Sequence, residues 1–179
     1  MPIPGKPADP RQLRLLAGLL ATPTGDSLLV LNALSEDHPW LCPGVEELTA
    51  LPLDQWQGEH TRLFVNGYPR TPCPPFESAY RHGCMHGTAT GQMGDLYRRL
   101  GLAVGDIPAD YLGAELEAAA WLLEQLDPEP HITGLWNELW HNHLAIWTGR
   151  FAADLQSESE LRLYRDLGGK IAALFEAQP

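Results

Sequence analysis

The chain has 179 residues, 44% of them hydrophobic and six of them Trp, enough for one well-packed domain and short for two. Its formal net charge of -11 speaks against a nucleic-acid backbone or an anionic membrane surface as partner and suits a basic ligand. No run approaches the ~20 apolar residues that span a bilayer, the N-terminus lacks the apolar stretch of a signal peptide, and three Cys (Cys42, Cys73, Cys84) give no paired framework, so a reduced, cytoplasmic protein is expected.

The Pro-rich residues 1–10 read as a flexible N-terminal arm. Leu13, Leu16, Ala17 and Leu20 keep helical spacing up to Pro23. Asp26 is placed to cap a second helix through Leu34, and "VEELTALPL" offers a short third. Trp56, His60, Leu63 and Phe64 then recur at helical spacing after Asp54. Prolines forbid a helix interior over 69–75, and helix resumes near Phe76 or Glu77. "MGDLYRRLGL" is a further short helix.

Two long helices follow. Leu112, Leu116, Ala119, Ala120 and Leu123 stripe the first, which starts near Pro108 and Asp110 and stops before Pro128. Leu139, Trp140, His143, Leu144, Trp147, Phe151 and Leu155 stripe the second. A last helix carries Leu161, Tyr164, Leu167, Ile171 and Leu174. Alternating apolar runs are scarce, so the expected fold is all-α: a single-domain helical bundle over residues 1–179 with a Pro-rich inter-helix loop.

Charge is segregated. No Lys or Arg lies between Arg14 and Arg62, an interval holding Asp26, Glu36, Asp37, Glu46, Glu47, Asp54 and Glu59. None lies between Arg99 and Arg150, which encloses eight acids including Asp110 and Glu115. A solvated acidic face is the common origin of such a pattern; a groove that attracts a cationic peptide is the sharper one.

The segment "PCPPFESAYRHGCMHG", residues 72–87, concentrates chemically active side chains. His82, Cys84 and His86, with His141 and His143, offer nitrogen and sulfur ligands for a metal-binding protein or metal-dependent enzyme. On a helix, however, Cys84 diverges from the two histidines, and neither CxxC nor HExxH is present. Nothing places Cys73 or Cys84 beside an activating base, and "GTATGQMGD" lacks the phosphate-loop pattern. A rigid recognition segment remains, with a stiff inter-helix connector as its plain counterpart.

Four elements in order resemble the TorD/DmsD/NarJ family of molybdenum redox-enzyme maturation chaperones. They are "EHTRLF" (Glu59, Leu63, Phe64), "PCPPFESAY" (Pro74, Pro75, Phe76, Glu77, Ser78, Tyr80), "PADYLGAEL" (Asp110, Tyr111, Glu115) and "HNHLAIWTGRF" (His143, Trp147). Thr61 stands where the family commonly has Tyr, and Tyr111 where it has His. The resemblance implies a non-enzymatic, all-helical cytoplasmic chaperone. Its partner would be the immature catalytic subunit of a molybdenum oxidoreductase, bound through an N-terminal twin-arginine-type peptide before export. It further implies no tightly bound cofactor and transient contact with the molybdopterin cofactor during loading. Charge and hydropathy add no nucleic acid and no membrane insertion, and a helical domain with long loops is expected as a monomer or domain-swapped dimer.

The fourteen residues quoted from these motifs are the expected peptide- and client-binding set. Carboxylates at Asp110 and Glu115 would pair with arginines, so Asp110→Asn is expected to weaken peptide binding with little change in thermal midpoint. Each residue also has a structural role open to it. Leu63, Phe64 and Trp147 suit a core, Glu77 a first helical turn, and Asp110 an N-cap.

Overall fold

A computed structural model describes residues 8–103, 105–125 and 130–176. Its helices are α1 (Pro10–Gly18), α2 (Ser27–Asp37), α3 (Cys42–Thr49), α4 (Leu53–His60), α5 (Glu77–His82), α6 (Thr88–Arg99), α7 (Leu112–Glu124), α8 (Pro130–Asn137), α9 (Ala145–Glu158) and α10 (Arg162–Glu176). A 3-10 turn (Pro39–Leu41) leads into α3, and wider π-type turns over Thr61–Val65 and Glu138–Leu144 extend α4 and join α8 to α9. Among the described residues there is no β-strand, only one isolated bridge between Phe76 and Tyr111. The fold is all-α, as the periodicity predicts.

Residues 1–7 of the expected arm lie outside the described residues. The rest of it is ordered: Pro10 is the first residue of α1, and Asp9 caps the helix by accepting the Arg11 amide at 2.9 Å. Proline is tolerated there because the first helical amide has no intrahelical acceptor to lose. Asp26 does sit at the N-cap of α2, but its side chain makes no capping bond, and the helix runs on to Asp37.

The chain divides into two compact units. The first comprises residues 1–20, 75–150 and 173–179. Here α1 lies along α7. Leu13, Leu16 and Ala17 of α1 and Leu112, Leu116, Ala119 and Leu123 of α7 are buried, and the alanine run Ala118–Ala120 leaves room for close helix approach. At the rim, Arg14 reaches both Glu124 and Glu117. Farther along, Trp140 stacks on Trp136 and Phe175, each at 4.9 Å between ring centroids.

The second unit comprises residues 21–74 and 151–172. Its core is aromatic: Phe64 meets Tyr164 edge-on at 5.2 Å and stacks with Phe151 at 6.4 Å, while Trp56 Nε1 donates to the Tyr164 hydroxyl at 3.0 Å. That bond lets two large rings be buried with their polar atoms satisfied. Helices α9 and α10 approach closely at Gly168, where a Cβ would lie 2.8 Å from the Ala152 carbonyl oxygen, so only glycine fits. Glu59 is buried and accepts both the Arg62 guanidinium, at 2.7 Å and 2.9 Å, and the Glu160 amide at 2.7 Å. The acid thereby ties α4 to the α9–α10 turn.

Candidate functional site

The ten expected site residues from Pro75 onward are brought together in the first unit. Pro74 leads to this unit but belongs, with Glu59, Leu63 and Phe64, to the second. Those four make no common surface patch: Leu63 and Phe64 are core, Glu59 is the buried tie just described, and Pro74 is half-buried.

The segment after the prolines is fixed by the chain that precedes α7. Leu112 donates its amide to the Pro75 carbonyl at 2.9 Å, and Glu77 donates its amide to the Asp110 carbonyl at 3.0 Å. Proline at 75 lacks an amide but keeps its carbonyl, so it can take part in this pairing only as acceptor. The Asp110 carboxylate then holds the first turn of α5. Oδ2 accepts the Ser78 amide at 2.8 Å and Oδ1 accepts the Thr90 hydroxyl at 2.8 Å. Ser78 Oγ lies 3.1 Å from Thr90 Oγ1 and accepts the Gly87 amide at 3.1 Å. Asp110 therefore performs the N-cap's task for α5 from a segment 32 residues away. At the other end, Gly83 closes α5 in the left-handed conformation (φ 69°), where a Cβ would be strained.

Behind this cap lies a buried polar cluster. Glu77 is fully buried; its Oε2 is 2.7 Å from His143 Nδ1 and its Oε1 pairs with Arg81, one helical turn on. Glu115 is also fully buried. Its Oε2 accepts the Trp147 indole N–H at 3.4 Å, while Oε1 has no donor. Burial, reinforced by the negative charge of Glu77, holds the Glu115 carboxyl well above the usual carboxylate range. Of the two fully buried acids, Glu115 is thus the one whose protonated form burial favours. The Tyr97 hydroxyl is buried without a partner beside the same acids, and burial followed by the charge of Glu115 pushes it up.

Asp110 and Glu115 thus form no open acidic groove. Both are inaccessible, so neither meets an arginine arriving from solvent, and the expectation of an unchanged midpoint in Asp110→Asn does not fit the observed bonding. The accessible part of the motif is aromatic. Phe76 and Tyr111 are half-buried with ring centroids 5.6 Å apart. Behind them Tyr80 is buried, packing 5.4 Å from Trp147 and lying under the Arg150 guanidinium at 5.4 Å. A polar cleft of about 660 Å³ opens over His143 and Arg81, walled by Gln92, Asn137, His141 and Asn142.

His82, Cys84 and His86 are exposed, and among the described residues no group of three or more His, Cys, Asp or Glu converges to hold a metal. The alternative metal site thus has no ligand set there. All three cysteines are free thiols; burial pushes the Cys73 thiol up to about 12.

Thr90, Arg81, Tyr97 and Arg150 belong to the site but were not among the expected residues. The Glu77–Arg81 spacing of four is a legible helical pair. Nothing local to "GTATGQ" marks Thr90 as the second donor to Asp110, because that bond depends on how α6 is placed.

With this geometry in hand, the comparisons with known proteins are informative. A family model described as "Nitrate reductase delta subunit" matches residues 21–153. The fold is similar to a crystal structure described as a candidate redox enzyme maturation protein from Archaeoglobus fulgidus, at 24% identity, a TM-score of 0.70 and 93% coverage of both chains. No curated protein matches the chain.

Proposed function

We propose, from the premise that the chain belongs to the nitrate reductase delta subunit family of NarJ/TorD-type redox-enzyme maturation chaperones, that it binds the immature catalytic subunit of a molybdenum oxidoreductase in the cytoplasm. It engages the subunit's N-terminal basic-apolar, twin-arginine-type peptide and shields the subunit while cofactor is inserted, before export. Its task is recognition and holding, without catalysis. Contact with the molybdopterin cofactor is transient and occurs through the client.

The observation that carries this reading is the preorganised state of the family's most distinctive motif. Pro75 to Ser78 is pinned by three hydrogen bonds from or to Asp110 and Leu112. A segment ordered before the partner arrives loses less conformational freedom on binding. Phe76 and Tyr111 form its client-facing surface, with Pro74 and Pro75 setting its entry angle. Glu77, Ser78, Tyr80, Asp110, Glu115, His143 and Trp147 act behind that surface and hold it in place. Glu59, Leu63 and Phe64 stabilise the other unit.

The test is calorimetric titration of the purified protein with the synthetic N-terminal peptide of a molybdenum oxidoreductase catalytic subunit from the same host. Binding that weakens as salt rises is expected, since opposite charges are screened. Absence of binding to every such peptide would overturn the peptide-recognition step.

A further inference from the structure

Helix α2 exposes an apolar strip framed by acids. Leu29 is 73% exposed and Val30 53% exposed, and of the helix only Leu31 is buried. At 100° per residue, Asp26, Leu29, Val30, Ala33 and Asp37 fall on one face, with Glu36 at its edge. All six are solvent-exposed. Leu28, Leu34 and Ser35 turn toward the opposite side with Leu31 and are half-buried. The helix is therefore apolar on both sides, with Leu29, Val30 and Ala33 meeting water where an ordinary amphipathic helix is polar throughout. A lone exposed Leu would need no explanation, but adjacent apolar positions bounded by polar ones mark an interaction surface.

The charges say what covers it. Asp26 lies at one end of the strip and Glu36 and Asp37 at the other, about 16 Å apart at about 1.5 Å per residue. No Lys or Arg occurs between Arg14 and Arg62 to neutralise them in sequence, and none of these three acids takes part in an ion pair among the described residues. A second copy of the chain docked on the same face would set acid against acid, because a two-fold contact pairs a patch with itself. A segment with an apolar centre and basic ends matches both features at once.

We infer that the outward face of α2 docks a helical segment of the client carrying basic residues on either side of an apolar face about three turns long. The inference rests on the reading that the client is recognised through a basic-apolar segment, and it assigns that segment a place. Amphipathic helices dock through positions at i, i+3, i+4 and i+7, and counted from Asp26 the residues Leu29, Val30 and Ala33 stand at i+3, i+4 and i+7 of α2.

The experiment uses the full chain and a fluorescein-labelled synthetic peptide with an arginine pair at each end of a Leu/Ala helical face. Anisotropy is read for the parent, for Leu29→Ser/Val30→Ser, for Asp26→Asn/Asp37→Asn, and for Ile146→Ser, which alters an exposed apolar residue of the other unit. Circular dichroism checks that each variant is folded. The inference predicts that both α2 double variants bind on the order of tenfold more weakly, the loss typical of truncated central anchors, and that Ile146→Ser binds as the parent does. Equal binding by parent and α2 variants would overturn the docking face while leaving client recognition intact. Failure of the parent to bind this peptide, where it binds the client's own N-terminal peptide, would overturn the two-ended basic pattern. Failure of both peptides would overturn the underlying reading. Dimerisation abolished by Leu29→Ser/Val30→Ser would give the face to a second copy and overturn the inference.

Discussion

Asp110 accepts the backbone amide of Ser78 at 2.8 Å and, through its other oxygen, the hydroxyl of Thr90 at 2.8 Å, with no exposure to solvent. One carboxylate thereby fixes the start of α5 and joins it to α6 and to the entry of α7. A family motif that reads like a ligand for arginine is, in this chain, the fastening of the Phe76–Ser78 backbone.

Removing that fastening has a stability cost. Asp110→Asn keeps one acceptor but substitutes an amide donor for the other, facing an N–H or O–H already committed. Loss of a charge-assisted bond of this kind costs about 1–3 kcal/mol. A lower urea midpoint is the expected result, with affinity for the client subunit reduced only as far as the Pro75–Tyr80 segment loosens. An unchanged midpoint with affinity lost would return Asp110 to the binding surface.

Glu115 gives the protein a pH dependence whose sign is set by burial. Its carboxyl is raised in the folded chain and ordinary in the unfolded chain. The unfolded state therefore loses this proton first as pH rises, so the stability that protonated Glu115 contributes is full below the ordinary carboxylate range and declines above it. Glu115→Gln keeps the shape, retains an acceptor for Trp147 and places a permanent donor toward Glu77. Urea unfolding across neutral and mildly alkaline pH should show the variant equal to or more stable than the parent, with the gap widening as pH rises. A variant less stable at every pH would contradict a raised Glu115 carboxyl.

The Glu77–His143 contact, 2.7 Å long and buried, is the joint between α5 and the turn before α9. Removing His143 leaves Glu77 Oε2 buried without its partner, while Oε1 keeps Arg81. His143→Ala is expected to cost about 1–3 kcal/mol, the usual penalty for a buried polar atom left unsatisfied. In a double-mutant cycle with Glu77→Gln the two losses should be strongly non-additive. Additive losses would mean that the two side chains are energetically independent.

Thiol chemistry separates the three cysteines. Cys42 and Cys84 are exposed, whereas Cys73 is buried with its thiol pushed up to about 12. A thiolate-trapping reagent at mildly alkaline pH should modify Cys42 and Cys84 in the native protein and reach Cys73 only on unfolding. Rapid native modification of Cys73 would show that the segment before Pro74 opens freely.

The helices were largely legible because apolar spacing and proline breaks are local signals: the stripes through Leu112–Leu123 and Leu139–Leu155 lie where the periodicity puts them. The chemistry of the site was legible as residue types but not as exposure. Asp110 and Glu115 read as acids in a base-free interval, and spacing alone cannot say that Ser78, Thr90 and Trp147 already occupy their oxygens. Those bonds join segments far apart in the chain. Leu29 and Val30 show the converse limit. Leu28, Leu29, Val30 and Leu31 run together, so periodicity does not choose a buried side, and only the packed structure reveals which side of α2 faces water.

The measurement that tests the central claim most directly is recovery of the client from the host's own cytoplasm in low salt, using tagged protein and mass spectrometry of bound chains. It is run in cells whose candidate client subunit carries its N-terminal peptide and in cells where that peptide is deleted. The account predicts that a molybdenum oxidoreductase catalytic subunit is recovered with its N-terminal peptide attached, and that deletion of the peptide sharply reduces recovery. Recovery of no such subunit, or equal recovery with and without the peptide, would contradict it.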